Sequence, residues 1–342
     1  MNYKFKALPP GTEIRKLLLN SEQADVHLDP DYLKLFQEYT GQKAVFLSCG
    51  NEEEYVACPY FLRPVKDTQF FDLVSPWYYG GPFWHLKNPE NLPVLREEFL
   101  RGISNYCREN NIVSEFQRLN PITKNNRFYD KNTYFNRTIA YIDLSKDYET
   151  LTKEYAKKAR KNIKRAKSHN LIVKRVQDAD TAKTFLSVYQ VAMKSKQTRK
   201  FYLFNQKFID HLLEYFGERA QIFLVEHEGR VICASLELAG YKILHDYLRG
   251  AESESLEMRP NDILIDEIIR WAKQQGYLFF SLGGGATASE DNGIFRFKKS
   301  FSSTTTNFYV YKKVHNREKY DKLAKNKNPL YEKSEVFPEY LE

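Results

Sequence analysis

The chain has 342 residues, of which 42% are hydrophobic and 15% aromatic, proportions that are typical of a globular protein and, at this length, of two domains. It contains no run of 18 or more apolar residues, and Met1–Thr12 lacks the apolar core of a secretory signal, so the sequence predicts neither a membrane-spanning helix nor a signal peptide. The formal net charge is +8, but one nineteen-residue stretch, Lys157–Arg175, holds nine Lys and Arg and no acidic residue, which leaves the remainder close to neutral.

Cysteines and histidines are sparse and scattered. None of the four cysteines forms a C-x-x-C pair, a pattern that favours buried, reduced thiols in a cytoplasmic protein. The seven histidines lack the spacing of metal ligands, so no metal site is predicted.

The first half predicts a helix, three strands, a second helix and a fourth strand. Asp29 and Pro30 are a favourable N-cap and first position for the first helix, and Gly41 is a favourable stop. The predicted elements that follow are strands over Ala44–Ser48, Tyr55–Phe61 and Phe70–Val74, a helix over about Asn91–Asn110 and a strand over Val113–Leu119.

A basic helix is predicted between the halves, after a strand over Thr138–Leu144. Its apolar residues recur with helical spacing and form one narrow stripe: Tyr155, Ala159, Ile163 and Ala166. Lysines and arginines cover the rest. A solvated helix face normally mixes charge signs, so a face without acids favours an anionic partner.

The second half predicts the same order of elements. Asn205 caps a helix that Gly217 ends, and the later elements are strands over Gln221–Glu226, Val231–Leu238 and Lys242–Arg249, a helix over about Asn261–Gln275 and a strand over Leu278–Leu282. This agreement favours a duplicated unit. The alternative is a single α+β domain whose order of elements matches by chance.

Two segments of the second half are candidate binding elements. Arg259, Asn261 and Asp262 lie where a strand and a loop lead into a helix N-terminus, which suits phosphate, although no glycine-rich phosphate motif is present and Asp262 can act as a helix cap. The glycines 283–285 allow close approach of a ligand or a strand. The following 292–301 segment alternates aromatic and cationic residues, a pattern that favours an extended edge segment.

These motifs together resemble the FemABX peptidyltransferases and related FemAB-like acyltransferases, which consist of tandem GNAT-type domains. The resemblance covers about residues 25–312 and rests on the following segments: Ala159–Ala166, Val225–Leu238 with Gly229 and Ala234, Tyr247 with Gly250, Pro260-Asn261 with Leu264, Gly276-Tyr277, Leu282–Gly284, Phe297-Lys298-x-x-Phe301 and the tyrosine-glycine loop Ser75–Pro82.

The resemblance implies an α+β fold with two GNAT-like domains, at 1–146 and 147–315, and a C-terminal tail at 316–342. The second domain would hold the acyl-donor cleft. The family transfers an aminoacyl or acetyl group to an amine, and no tightly bound cofactor is expected: the donor is aminoacyl-tRNA or acyl-CoA. Unlike the peptidyltransferases, this chain shows no long charged coiled-coil insertion, which leaves the use of tRNA open.

The resemblance also implies site residues. Lys298 would be the catalytic cation that stabilises a tetrahedral oxyanion, and Asp246, Asp291 or a water would be the general base. The expected substrate-binding residues are Arg199, Tyr247, Arg160, Lys164 and Tyr79, and the expected donor-binding residues are Arg259, Asn261 and Asp262.

The expected acceptor is a phosphate-bearing cell-wall precursor, nucleotide-linked or lipid-linked, or a surface glycan. The expected location is the cytoplasm, with peripheral membrane contact left open. Two alternatives remain: an acetyl-CoA-dependent N-acyltransferase of an amino sugar, and a nonenzymatic nucleic-acid-binding protein, for which no recognisable DNA-reading module is visible.

Overall fold

A computed structural model describes residues 3–176, 179–195, 202–327 and 336–341. The chain forms two compact units: Met1–Asn136 with Asn307–Glu342, and Arg137–Thr306. These boundaries differ from the expected ones at 146 and 315, and the expected separate tail belongs to the first unit. It does so because the strand that begins at Thr305 returns to the sheet of the first unit, where the hydroxyl of Tyr340 also hydrogen-bonds Asp72 and Ser114.

The first unit is a mixed sheet with helices. Its helices are α1 (Thr12–Leu19), α2 (Pro30–Thr40), α3 (Leu92–Glu109) and α10 (Arg317–Lys327), and its strands are β1 (Lys4–Leu8), β2 (Lys43–Gly50), β3 (Tyr55–Pro64), β4 (Phe71–Val74), β5 (Phe83–His85), β6 (Ile112–Arg118) and β13 (Thr305–Val314). The strands lie in the order β1-β2-β3-β4-β6-β13, and β5 pairs with β3. Strands β4 and β6 pair in parallel, and the other strand pairs described in this unit are antiparallel.

The second unit has the same arrangement. Its helices are α4 (Tyr148–Glu154), α5 (Lys157–Ser168), α6 (Ala179–Ser195), α7 (Gln206–Phe216), α8 (Pro260–Gln274) and α9 (Gly293–Lys299), and its strands are β7 (Thr133–Asp143), β8 (Ile172–Val176), β9 (Ala220–His227), β10 (Arg230–Gly240), β11 (Ile243–Ala251) and β12 (Phe279–Gly283). The order is β8-β9-β10-β11-β12-β7, with β11 and β12 parallel and the rest antiparallel.

The two units therefore share one topology. In each, a helix precedes three antiparallel strands, and a second helix then crosses to a parallel fourth strand: α3 joins β4 to β6, and α8 joins β11 to β12. The duplication predicted from the order of elements is present in the fold, and the α+β class is confirmed.

Helix ends follow the capping residues that the sequence offers. The Asp29 carboxylate accepts from the Asp31 amide at the start of α2, and Gly41 ends that helix with φ +71°. The Asn205 side chain accepts from the Phe208 amide at the start of α7. These local signals were sufficient to place both helices.

The 292–301 segment is helical, so the expectation of an extended edge segment was wrong. The side chain of Asn292 accepts from the amides of Ile294 and Phe295, which caps α9. Phe295 and Phe301 are buried in the core of the second unit, and Phe297 packs against that core. A helix turn, rather than strand alternation, brings these aromatic rings to one core.

Each unit has its own apolar core. The core of the second unit includes the predicted stripe of α5, since Tyr155, Ala159, Ile163 and Ala166 are all buried there. All four cysteines are buried and have free thiols. No described helix is long and apolar enough to cross a membrane.

Candidate active site

The parallel strands of the second unit separate after a short paired stretch. Strands β11 and β12 pair over three residues each, and the last pair is His245 with Ser281. Beyond this point β12 ends at Gly283, which has φ +74°. Residues of β11 after His245 thus have no backbone partner on β12. We call the region between the two strands beyond this point the cleft.

The equivalent strands of the first unit stay connected. After Val74 pairs with Phe116, the amide of Ser75 donates to the Phe116 carbonyl, and the amide of Gly80 donates to the Arg118 carbonyl at 2.7 Å. Gly80 also bridges to Leu119. The tyrosine-glycine loop therefore continues the pairing, and the strand separation is a feature of the second unit.

A β-bulge on β11 shapes the cleft. Leu236 of β10 pairs with Leu248, and the next residue, Glu237, pairs with Asp246, so Tyr247 is the extra residue. The bulge reverses the alternation of side chains along β11. As a result Asp246 and Arg249 meet on one face, where their side chains form an ion pair of 2.7 Å.

This ion pair is largely removed from solvent. Its side chains are 5% and 12% exposed for Asp246 and Arg249 respectively. The guanidinium of Arg249 also lies 5.5 Å from the ring centroid of Phe297 on α9. The arrangement fixes α9 against the open side of β11.

Glu237 is a fully buried acid beside this pair. Neither of its carboxyl oxygens accepts a hydrogen bond of normal geometry within the described part of the chain, although the Ser235 side chain acts to lower its pKa. Burial and the neighbouring Asp246 raise the pKa of Glu237 well above its usual value, although Arg249 and Lys298 oppose the shift. The raised pKa favours the protonated form of Glu237.

Lys298 lies on α9 and faces the same group of charges. Its pKa is lowered to about 8, chiefly by burial. Asp246 and Glu237 oppose this shift, whereas Arg249 and Arg137 add to it. Lys298 is thus mostly protonated at neutral pH but can lose its proton under mildly alkaline conditions. We call Glu237, Asp246, Arg249 and Lys298 the charged cluster.

The start of α8 forms the second part of the cleft. Arg259 precedes the helix in the left-handed region, with φ +66° and no capping hydrogen bond from its side chain. Asn261 is in the first turn and lies 3.7 Å from the Cys233 sulfur. Asp262 accepts a hydrogen bond from Asn162 of α5 at 3.0 Å.

The surroundings of Asp262 act on its pKa in both directions. Burial raises its pKa, while the bond from Asn162 and the cations Arg259, Arg249 and Lys158 lower it. Three cations thus surround one helix N-terminus, where backbone amides and the helix dipole also favour an anion.

The basic face of α5 is exposed throughout. Each of its lysines and arginines lies on the surface: Lys157, Lys158, Arg160, Lys161, Lys164, Arg165 and Lys167. Arg160 donates to the Lys153 carbonyl, and Arg165 lies 4.0 Å from Glu257. Because Asn162 joins α5 to the start of α8, this face continues the cationic end of the cleft.

The remaining predicted residues have different surroundings. Tyr247 is the buried bulge residue of β11. Tyr79 is buried in the first unit, edge-on to Tyr78 and Phe308, and so does not belong to the charged cluster. Arg199 lies outside the described residues. Of the candidate bases, Asp246 is in the cluster, whereas Asp291 is exposed beside the cap of α9.

The chain's own side chains occupy the space next to the glycine-rich end. A Cβ atom on Gly284 would lie 2.7 Å from Cδ of Arg137, and one on Gly285 would lie 2.8 Å from Oδ1 of Asn292. Arg137 also donates to the Gly285 carbonyl at 2.7 Å. These two glycines permit internal packing at the end of β12.

Sequence reasoning missed Glu237 and the role of Arg249. Glu237 could have been found, because it is the acid of a mostly apolar strand, and a fully buried acid is rare and often functional. Arg249 gave no such signal, since its pairing depends on the bulge.

Comparisons with known proteins agree with this geometry. Residues 153–299 match the family model described as an acetyltransferase (GNAT) domain. The structure of FemX is similar over 94% of this chain and 99% of that chain, with a TM-score of 0.71 and 11% identity. No curated protein matches the sequence significantly.

Two further structures share the fold. One is a C-terminal DUF2156 domain, provisionally assigned to a lysylphosphatidylglycerol synthetase of Agrobacterium fabrum (TM-score 0.58, 15% identity, 91% of this chain and 92% of that chain). The other is L-PGS from Bacillus licheniformis (TM-score 0.52, 14% identity, 85% and 92%). The family match favours an enzyme over a nonenzymatic nucleic-acid-binding protein. Residues 153–299 of the second unit thus resemble a GNAT acetyltransferase domain, and the chain shares the fold of FemX.

Proposed function

We propose that the protein transfers an aminoacyl or acetyl group from an activated ester or thioester to an amine of a phosphate-bearing cell-wall precursor or surface glycan. The observation that supports this most is the position of Lys298, a partly buried cation beside the buried Glu237 at the point where β11 and β12 separate. Similarity to FemX and to lysylphosphatidylglycerol synthetases supports the cell-envelope substrate class.

The proposed chemistry is nucleophilic acyl transfer. The amine nitrogen attacks the donor carbonyl carbon, a C–N bond forms, and the carbonyl π electrons move to oxygen. Lys298 stabilises that oxyanion. Asp246 accepts the proton that the attacking amine loses. The oxyanion then collapses, the C–O or C–S bond to the donor breaks, and the leaving group takes a proton from Glu237, whose raised pKa favours the protonated form.

The donor would lie along the cleft towards α8. Its phosphates would meet the start of this helix, where Arg259 and the amide of Asn261 are available. Acyl-CoA and aminoacyl-tRNA both carry phosphates, but at different distances from the acyl carbonyl: a pantetheine arm separates the two groups in acyl-CoA, and only the terminal ribose separates them in aminoacyl-tRNA. Acetyl-CoA and aminoacyl-tRNA are therefore compared as donors in the same assay.

Arg259→Ala is expected to weaken donor binding about tenfold, which corresponds to roughly 1.4 kcal/mol, with little change in kcat. The reason is that this arginine would contact phosphate and not the reacting carbonyl. Steady-state kinetics with acetyl-CoA and with aminoacyl-tRNA as donors would give KM and kcat for each. Arg230→Ala is the control, since Arg230 is exposed and pairs with Glu252. Unchanged KM for the active donor would contradict the assignment.

The basic face of α5 is proposed to hold the phosphates of the larger substrate. Arg160 and Lys164 belong to this face, and none of the α5 cations is buried. A lipid-linked precursor would bring the protein to the cytoplasmic membrane surface, whereas a nucleotide-linked precursor or tRNA would bind in solution.

The binding constant for tRNA is expected to fall with salt concentration. The triple change Lys157→Gln, Lys161→Gln and Lys164→Gln should make the slope of the logarithm of this constant against the logarithm of salt concentration shallower by about two to three. Each lysine that neutralises a phosphate releases about one counterion. Fluorescence anisotropy with labelled aminoacyl-tRNA at several salt concentrations measures the slope. Neutralising three exposed lysines of the first unit (Lys4, Lys6 and Lys43) is the matched control. An identical slope for both triple variants would exclude tRNA from this face.

One assay tests the function as a whole. The purified protein is incubated with acetyl-CoA or aminoacyl-tRNA and with a nucleotide-linked muropeptide, a lipid-linked precursor or an amino sugar, and the acceptor mass is measured. An aminoacyl or acetyl increment on an envelope precursor supports the proposal. Acetylation of the amino sugar alone would support the alternative N-acyltransferase, and stabilisation by duplex DNA without any transfer would support a nonenzymatic nucleic-acid-binding protein.

A further inference from the structure

The first unit contains a cavity that the proposed reaction does not use. Its volume is about 530 Å³, within the range of small-molecule sites. Among the residues that the structure describes, the lining comes from the middle of α3, the segment before β7 and the start of β7, β13, α10 and the C-terminal segment: Leu100, Tyr129, Asp130, Lys131, Asn132, Tyr134, Tyr311, Lys312, Lys313, Val314, Arg317, Tyr320, Phe337 and Glu339. All of these residues belong to the first unit, which includes the start of β7 as far as Asn136.

The lining is cationic. Lys131, Lys312 and Lys313 have no carboxylate within ion-pair distance in the described part of the chain, while Arg317 pairs with Asp321 at 3.4 Å. Of the two acids in the lining, Asp130 is already paired with Arg96 at 2.6 Å. The second acid is Glu339, and Lys313 donates a hydrogen bond to the Ser104 hydroxyl at 3.1 Å. Four cations against two acids leave an excess of positive charge around the cavity, which favours an anion with several oxygens.

Aromatic rings form the other part of the lining. Lys312 lies 5.7 Å from the ring centroid of Tyr134 and 5.6 Å from that of Phe337. Tyr129 and Tyr311 stack with centroids 3.9 Å apart, a contact that fixes one wall. Flat apolar faces beside cations suit a ligand that carries both a planar ring and a charged group.

We propose that this cavity binds a small organic phosphate with a planar ring, of the nucleoside-phosphate class. The phosphate contacts Lys312 and Lys313, and the ring lies against Tyr134. Neither the charged cluster nor the start of α8 contributes to the cavity, so the proposal stands or falls independently of the acyl-transfer reaction.

Calorimetric titration of the full-length protein with ADP tests the proposal, with inorganic pyrophosphate as a probe that lacks the ring. We expect ADP to bind with a Kd below about 1 mM, and the double change Lys312→Ala and Lys313→Ala to weaken it at least about tenfold. Tyr134→Ala is expected to weaken ADP but not pyrophosphate, because only ADP has a ring to pack there. Tyr134 is half exposed, so this variant is expected to fold.

Two variants outside the cavity provide the controls. Lys207→Ala removes an exposed lysine of α7, and Arg259→Ala removes the cation at the start of α8; both are expected to retain ADP binding. The proposal is overturned if ADP does not bind, or if Arg259→Ala abolishes binding while the lysine double variant leaves it unchanged. Equal effects of Tyr134→Ala on ADP and pyrophosphate would overturn the placement of the ring.

Discussion

Lys298→Ala is expected to lower kcat/KM by about 10²- to 10³-fold, the usual effect of removing one oxyanion donor. The protein is expected to remain folded, because burial already makes the charged form of this lysine unfavourable, as its lowered pKa of about 8 shows. Transfer assays under the same conditions as thermal melting separate the two effects.

Lys299→Ala is the matched control for this variant. Lys299 is the next residue on α9, but it is half exposed and pairs with Glu290 at 3.3 Å. We expect it to retain activity. A Lys298→Ala enzyme with near-normal turnover on its true donor would refute the oxyanion assignment.

The lowered pKa of Lys298 also predicts a pH dependence. The lysine is charged below pH 8, so activity should decline as pH rises through about 8. The free energy of unfolding should instead rise between about pH 8 and 10.5. Over this range the folded protein loses the proton and with it the buried charge, whereas the unfolded chain still holds the proton. Loss of activity without loss of stability thus identifies titration of Lys298. Lys298→Arg should remove this alkaline decline.

Local signals in the sequence were sufficient for most of the fold. Asp29, Gly41 and Asn205 mark helix ends by capping chemistry that does not depend on distant residues. The apolar residues of α5 recur with helical spacing, which predicts one buried face. The duplicated order of elements followed from the same kind of signal.

The candidate site was only partly predictable, because its geometry depends on contacts between elements. Alternating aromatic and basic residues around Phe297 resemble a strand, but the Asn292 cap and the burial of Phe295 select a helix. The bulge at Tyr247 depends on the pairing of β11 with β10, which no local pattern fixes. Without the bulge, alternation would place Asp246 and Arg249 on opposite faces.

Asp246→Ala is expected to lower the free energy of unfolding by about 3–5 kcal/mol, because it leaves the buried guanidinium of Arg249 without its ionic partner. Chemical denaturation followed by circular dichroism measures this value. The second change Arg249→Leu in the same chain should restore part of the loss, since it removes the uncompensated charge. Activity should stay low in both variants, as Asp246 is also the proposed proton acceptor.

The matched control is an ion pair of the same type at the surface. Lys87 and Glu53 are also 2.7 Å apart, but their side chains are 69% and 66% exposed. Glu53→Ala is therefore expected to change the free energy of unfolding little, because water solvates the lysine that remains. A similar small cost for Asp246→Ala would mean that solvent reaches Arg249 and that the charged cluster is not the dry site that an oxyanion-stabilising lysine requires. A large cost that Arg249→Leu partly reverses would establish the burial on which the proposed catalysis depends.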